Sequence, residues 1–161
     1  MAETLGEFLA RRIADEIALL RDFVIVLQRE QRALTTDDAD QIAASSQAKV
    51  GLLRQLGQIS TERNLALARE GLAADRAGLD EFITRDADSG GLARLHENLM
   101  QLAGEANELN RINGKLIRQR MVYNQKSLAV LLATAEGAPT YGRDGRSSLG
   151  GNPVGRRLTS A

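Results

Sequence analysis

The chain has 161 residues, with no cysteine, one histidine, and 21 basic against 21 acidic side chains. This composition excludes a disulfide framework, a zinc–thiolate site and a multi-histidine metal cluster, and the zero net charge gives no overall field for nucleic acid or an acidic membrane. Aromatic residues make up 3% and tryptophan is absent, which favours helices packed on helices over a sheet or an aromatic pocket.

The first predicted element is a long amphipathic helix over residues 3–34. Its apolar residues follow gaps of three or four, except before Leu34, where Gln31 takes the missing position. Acids and arginines interrupt the segment Phe8–Leu20, so no signal peptide is predicted. The apolar stripe of this helix consists of Leu5, Leu9, Ile13, Ile17, Leu20, Val24 and Leu27, widened by Phe8 and Phe23.

A break at Thr35–Asp38 precedes a second predicted helix over residues 38–69, with Thr36 or Asp37 as its N-cap. Two internal glycines each cost about 1 kcal/mol relative to alanine, so this helix depends on tertiary packing. Its weaker apolar stripe consists of Ile42, Val50, Leu53, Leu56, Ile59 and Leu67.

A short third helix is predicted between two turns. Gly71 is the expected C-terminal cap of the second helix, because glycine reaches the left-handed conformation without a steric penalty. The short helix covers residues 75–85, with Leu79 and its apolar neighbours facing inward, and the polar, glycine-rich segment 86–91 ends it.

The last predicted helix, Leu92–Leu132, has the sharpest pattern. Its apolar positions step by three and four residues, the spacing of a coiled-coil seam. Asn113 and Arg120 occupy seam positions, where a polar residue often fixes register or partner number. No acid occurs from Leu109 to Ala135, so this basic stretch either lies antiparallel beside the acidic first helix or serves a partner. The seam begins with Leu92, Leu95, Leu99, Leu102, Ala106 and Leu109.

Together these elements predict an all-α protein, an elongated antiparallel three-helix bundle or coiled coil with a short extra helix. Residues 1–135 form the helical domain. Residues 136–161 are rich in glycine, proline and serine and form a flexible C-terminal tail, disordered when free, because they hold too little apolar surface to offset the entropy of ordering.

The sequence offers no catalytic chemistry. It has no phosphate-binding loop, no dinucleotide fingerprint, no zinc-protease motif and no nucleophile elbow, so no enzyme, cofactor or metal site is expected. His96 is interpreted as a packed or solvated helix residue. The longest apolar stretch, Leu128–Ala135, is too short to cross a bilayer. The basic helix has few aromatics between its cations, so nucleic acid is not the expected partner.

Three segments near the C-terminus carry a resemblance to a known family. Leu109–Ile117 matches an N-x-x-N-G-x-L-[LI] pattern, Asn124–Leu128 an asparagine followed by a leucine, and Tyr141–Gly145 a Tyr-Gly-x-[DN]-Gly tail. In this order and spacing they resemble the FlgN-type flagellar export chaperones. Weaker upstream matches are Lys49, Leu53, Leu56, Arg63 and the pair Gly71-Leu72.

The resemblance implies a small helical, cytoplasmic chaperone of the flagellar type III export system. Its cargo would be the hook–filament junction proteins FlgK and FlgL, and its second partner the cytoplasmic domain of the export gate. The implied cargo-binding residues are Asn113, Leu116, Ile117, Arg120, Tyr123, Asn124, Leu128, Leu131 and Leu132. The implied gate-docking residues are Tyr141, Gly142, Asp144 and Gly145.

One alternative remains open from the sequence: a structural coiled-coil protein that self-assembles without cargo. A homo-oligomer is compatible with either interpretation. Tyr141 has two interpretations on composition alone, a chance aromatic in a linker or an anchor presented by turn-forming neighbours.

Overall fold

Four α-helices make up the part of the chain that the structure, a computed structural model, describes. It describes residues 3–86 and 90–137, the last two of these without their side chains. The helices are α1 (Leu5–Thr36), α2 (Ala39–Arg69), α3 (Arg76–Arg85) and α4 (Gly90–Gly137). Within these residues there is no strand, and no helix is long and apolar enough to span a membrane. The all-α prediction is confirmed, whereas the predicted flexible tail lies outside the described residues from position 138 onward.

The start of α1 and the break before α2 are set by side-chain caps. At the first, the Glu7 backbone N–H donates to Thr4 Oγ1 over 3.2 Å and the Thr4 N–H donates to Glu7 Oε2 over 2.8 Å, which is a capping box. The predicted cap of α2 is wrong. Thr36 is the last residue of α1, Asp37 is left-handed with φ 60°, and Asp38 accepts from the Gln41 N–H over 3.0 Å.

Two glycines are required where the chain turns between α2 and α3. Gly71 has φ 75°, and its N–H donates to the Ala68 carbonyl while the next N–H reaches the Leu67 carbonyl, so the predicted cap is confirmed as a Schellman motif. Gly78 lies against the chain before α3. A Cβ there would lie 1.9 Å from the Ala73 carbonyl oxygen, so only glycine fits.

The ion pairs between α1 and α2 show that these helices run antiparallel. Arg12 pairs with Glu62 over 3.0 Å, Glu16 pairs with Arg63, and Glu30 pairs with Lys49 over 3.1 Å. Towards the end of α1 the partner comes from an earlier position in α2. Two acids of α1, Glu16 and Glu30, therefore meet cations of α2, whereas Arg12 of α1 meets an acid.

Helices α1 and α4 run parallel, contrary to the antiparallel placement considered from their charges. The early α1 residues Gly6 and Ala10 line one cleft with Leu92, and Leu27 further along α1 accepts a hydrogen bond from Asn113 of α4. The physical reason is topological. The chain reverses before and after α2, so the first and last long helices of an up-down-up bundle point the same way.

The core follows the predicted seam. In α4 the buried residues are seven apart, Leu92, Leu99, Ala106 and Asn113, which is the repeat of a coiled-coil seam. In α1 the buried row continues from Leu27 through Glu30 rather than Gln31, and it comprises Leu9, Ile13, Ile17, Leu20, Phe23, Val24, Leu27, Glu30, Ala33 and Leu34.

Helix α2 contributes less to the core than its predicted stripe suggested. Its buried residues are Ser45 and Leu67, and Leu52 and Leu56 pack partly buried against the core cluster. Two residues of the predicted stripe, Val50 and Leu53, are instead more than half exposed. One flank of α2 therefore carries apolar side chains that the bundle does not cover.

The chain divides into two compact units, residues 1–119 and 120–161. The core described above belongs to the first unit. Of the second unit, residues 120–137 are described, and they are helical. The domain boundary expected after residue 135 stays a prediction.

Candidate functional site

Three polar side chains meet inside the first unit and form what is called here the polar cluster, Asn113, Glu30 and Lys49. Asn113 is fully buried, and its side-chain N–H₂ donates to the Leu27 carbonyl and to Glu30 Oε2, both over 2.8 Å. The Lys49 ammonium donates to both Glu30 carboxylate oxygens over 3.1 Å. The cluster thus joins α1, α2 and α4.

The polar cluster replaces one apolar layer of the core. A buried carboxylate is tolerated only when it is paired and hydrogen-bonded, and Lys49 and Asn113 supply both to Glu30. The Asn113 Oδ1 atom is buried without a partner among the described protein atoms. Because a polar seam residue penalises other registers, this layer aligns the three long helices.

The placement of Asn113 separates it from the other residues of the expected cargo surface. Its amide is engaged inside the bundle, so it does not face a partner in this structure. Glu30 was not singled out by the sequence analysis, and Lys49 entered it only as a weaker family match. One signal was available for Glu30, because it lies three residues after Leu27 at a position that helical spacing places in the apolar row.

The second unit contains an unusual concentration of exposed apolar side chains, called here the exposed apolar segment, Met121–Leu132. Seven of the eleven large apolar residues that are exposed among the described residues lie in it. Exposed apolar residues concentrated in one segment commonly mark an interaction site. The seven are Met121, Val122, Tyr123, Leu128, Val130, Leu131 and Leu132, with exposed fractions from 49% to 71%.

The spacing of this segment differs from that of the seam. A seam continued by steps of three and four from Asn113 reaches Ser127 and Val130. Leu128 and Leu131 belong instead to a neighbouring row with the same steps, which also passes through Met121. Apolar residues on two adjacent rows form a broader surface than a coiled-coil seam. The sequence analysis did not name Val130, which lies on the continued seam, nor Met121 and Val122, which lie off it.

The charge of the segment is positive. No acid occurs between Leu109 and Ala135, and Lys126 lies inside the segment. Upstream, Arg111 donates to Glu108 of its own helix over 2.5 and 2.8 Å, and this hydrogen bonding lowers the pKa of the Glu108 carboxyl. The segment therefore favours a partner that combines apolar residues with acids.

The remaining expected residues have different surroundings. Leu116, Ile117 and Arg120 are half-buried, whereas Tyr123 and Asn124 are exposed. The expected gate-docking residues, Tyr141, Gly142, Asp144 and Gly145, lie outside the described residues.

The sole histidine, His96 of α4, lies beside Asp80 of α3. The His96 side chain is 12% exposed and its Nδ1 lies 3.4 Å from Asp80 Oδ1. Burial lowers its pKa, and the nearby Asp80 carboxylate opposes this effect. In the described ranges, 3–86 and 90–137, no three histidine, aspartate or glutamate side chains are grouped so as to hold a metal ion.

Comparison with known proteins gives two matches. The family profile described as FlgN protein matches residues 1–148 of the chain. The fold is similar to the crystal structure of a Pseudomonas aeruginosa protein described as a flagella synthesis protein FlgN, with a TM-score of 0.64 and 23% sequence identity, over 74% of this chain and 92% of that chain. At that identity the structural likeness concerns the fold. No curated protein matches the chain.

Proposed function

We propose that the chain, which belongs to the FlgN family, is a chaperone of flagellar synthesis. In the cytoplasm it binds the hook–filament junction proteins FlgK and FlgL, and it delivers them to the export apparatus. The observation that carries the proposal is the exposed apolar segment. A chaperone needs a surface that accepts apolar parts of its cargo, and this segment offers one in the described structure.

The mode of binding follows from the physics of the segment. An amphipathic helix of the cargo would lay its apolar stripe on the exposed side chains of α4. Burying one leucine side chain contributes about 1.5–3 kcal/mol, so a few such contacts give appreciable affinity. Lys126 and the neighbouring cations would favour acids beside the cargo's apolar stripe.

The proposed cargo surface revises the one expected from sequence. It keeps the half-buried and exposed residues and adds three exposed apolar ones, while Asn113 is left out because it is bonded inside the bundle. The surface comprises Leu116, Ile117, Arg120, Tyr123, Asn124, Leu128, Leu131 and Leu132, together with Met121, Val122 and Val130.

The first test places charges in the surface. The double variant Leu128→Asp with Leu132→Asp should weaken binding to FlgK or FlgL at least about tenfold, the equivalent of roughly 1.4 kcal/mol, because two exposed leucines would no longer be buried by cargo. Isothermal titration calorimetry measures this loss. Unchanged affinity in a variant that keeps its helical circular dichroism would refute the surface.

A matched control is available in the first unit. Ile25 and Leu65 are also exposed, by 44% and 53%, and lie outside the proposed surface. The double variant Ile25→Asp with Leu65→Asp should bind cargo like the parent. Equal losses in both double variants would show a general effect of added charge rather than a local site.

We further propose that the tail motif Tyr141–Gly145 docks the loaded chaperone on the cytoplasmic domain of the export gate. Tyr141→Ala should reduce secretion of FlgK in a strain lacking the native chaperone, while calorimetry finds its cargo affinity unchanged. Tyr141→Phe, which keeps the ring, should export more than Tyr141→Ala. Parental secretion by the alanine variant would exclude this role.

A further inference from the structure

A groove opens between α2 and α4 within the first unit, and no residue of the proposed cargo surface lines it. Its volume is about 410 Å³, within the range of sites that take ligands. The buried residues Leu20 of α1 and Leu79 of α3 are part of its lining. Its walls are mostly apolar or small, with Leu53, Leu56 and Gly57 from α2 and Leu99, Met100 and Ala103 from α4.

The α2 wall of this groove carries apolar surface that the bundle does not use. Leu53 is 52% exposed, and Val50, one helical turn before it, is 57% exposed. A Cβ added to Gly57 would meet nothing within 4 Å, so the wall has room beside that residue. Two helices over a third leave a groove where a fourth helix would complete a bundle, and an amphipathic helix fits such a groove through apolar residues three and four apart.

The charges beside the groove select among possible occupants. From Gln41 to Thr61, α2 has no acid. Of its two cations, Lys49 is bonded to Glu30 in the polar cluster, whereas Arg54 is exposed. A helix with acidic flanks would therefore meet complementary charge along this wall. The exposed apolar segment of a second copy would not, because it carries Lys126 and no acid.

The charged residues that line the groove also favour a partner helix with acidic flanks. Glu16 is paired with Arg63. Arg76 also lines the groove, and it pairs with Asp80 over 3.6 Å through a 66% exposed side chain. An acid of an incoming helix can compete with Asp80 for this guanidinium, because exposed ion pairs are weak. We propose that this groove is a second docking surface, for an amphipathic helix with acidic flanks from a partner protein. The site is independent of the exposed apolar segment and of the proposed function.

A synthetic peptide tests the proposal on the full chain. The probe is a peptide of about 18 residues, about 27 Å long as a helix, with leucines at helical spacing, glutamates elsewhere and no histidine. Its binding is followed by fluorescence anisotropy and by the ring signals of His96, which is the sole histidine of the chain and lines the groove. Saturable binding that shifts the His96 signals and weakens with salt is expected.

The charge preference has its own control peptide. Replacing every glutamate by lysine keeps the apolar face and reverses the flanks, and this peptide should bind about tenfold more weakly or worse. Equal affinity of the two peptides overturns the proposed acidic partner. Absence of saturable binding by the glutamate peptide overturns the docking surface itself.

Two glycines of α2 provide a matched pair of variants. Gly57→Leu fills the groove, whereas Gly51→Leu makes the same change at a residue that does not line it and whose added Cβ also meets nothing within 4 Å. Gly57→Leu should weaken peptide binding about tenfold or more, and Gly51→Leu should leave it unchanged, with both variants folded by circular dichroism. Parental binding by Gly57→Leu overturns the proposal.

Two further experiments distinguish the proposed partner helix in the groove from two alternatives, binding at the exposed apolar segment and a second copy of the chain in the groove. The variant Leu128→Asp with Leu132→Asp weakens any competing binding of the peptide to the exposed apolar segment, so it should keep the His96 shift. Loss of that shift would assign the peptide to the exposed apolar segment. Sedimentation velocity of the parent and of Gly57→Leu detects self-association. If the parent forms a dimer that Gly57→Leu abolishes, the groove binds a second copy of the chain, and the proposal of a partner helix is overturned.

Discussion

At the scale of single residues, the hydrogen bonds of the polar cluster show the role of the seam residue Asn113 inside the bundle. The sequence showed Asn113 at a core position of a helix with coiled-coil spacing, which is compatible with a partner contact or an internal hydrogen bond. Its actual partner Glu30 lies 83 residues earlier in the chain. Only the alignment of α1 against α4 brings the two together, and no local pattern specifies that alignment.

The polar cluster makes a prediction about stability. Asn113→Leu removes a donor from the Glu30 carboxylate, which is 2% exposed, and should lower the free energy of unfolding by about 1–3 kcal/mol. Adding Glu30→Leu should recover part of that loss, because apolar residues often replace a buried polar network without cost. Lys49, with a 19% exposed side chain, can then extend its ammonium towards water.

Urea denaturation of the two single variants and the double variant measures this coupling. The expected result is a double variant more stable than the sum of the two single effects predicts. Additive losses would mean that Asn113 and Glu30 act independently, contrary to the 2.8 Å contact between them.

At the scale of helices, the existence and type of each element could be predicted, but not every face or cap. The spacing of apolar residues gave α2 to within one residue, yet Val50 and Leu53 are exposed and Leu52 packs against the core. The cause is the low contrast of α2, where alanine and serine between the leucines allow more than one stripe. At the start of α2, the side chains of Thr36, Asp37 and Asp38 each have an oxygen that could cap the helix, and the backbone geometry makes Asp38 the N-cap.

Alanine substitutions at two helix glycines, Gly78 and Gly51, should change the free energy of unfolding in opposite directions. Gly78→Ala should lower the free energy of unfolding by about 1–3 kcal/mol, the usual effect of overpacking, because its Cβ would lie 1.9 Å from the Ala73 carbonyl oxygen. Gly51→Ala should raise it by about 0.5–1 kcal/mol, because that Cβ meets nothing within 4 Å and alanine loses less entropy in a helix. Urea denaturation measures both, and the same sign for the two variants would contradict the packing described at Gly78.

At the scale of the whole chain, composition and heptad spacing were enough for the all-α class, the coiled-coil seam and the short extra helix. The relative direction of α1 and α4 could not be read from their opposite charges. That direction depends on the number of chain reversals, and the α1 acids Glu16 and Glu30 pair with cations of α2. The exposed apolar segment was anticipated through Leu128, Leu131 and Leu132, and its full width appeared only with the exposure of individual side chains.

Hydrogen–deuterium exchange of the full chain, with and without FlgK, tests the central proposal most directly. Residues 121–132 are helical and their side chains are mostly exposed, so their backbone hydrogen bonds open readily in the free chain. Bound cargo should slow exchange across these residues, while exchange around Leu9, Ile13 and Leu27 in the core changes little. Slowed exchange elsewhere in the chain, with residues 121–132 unaffected by saturating FlgK, would contradict the proposed cargo surface.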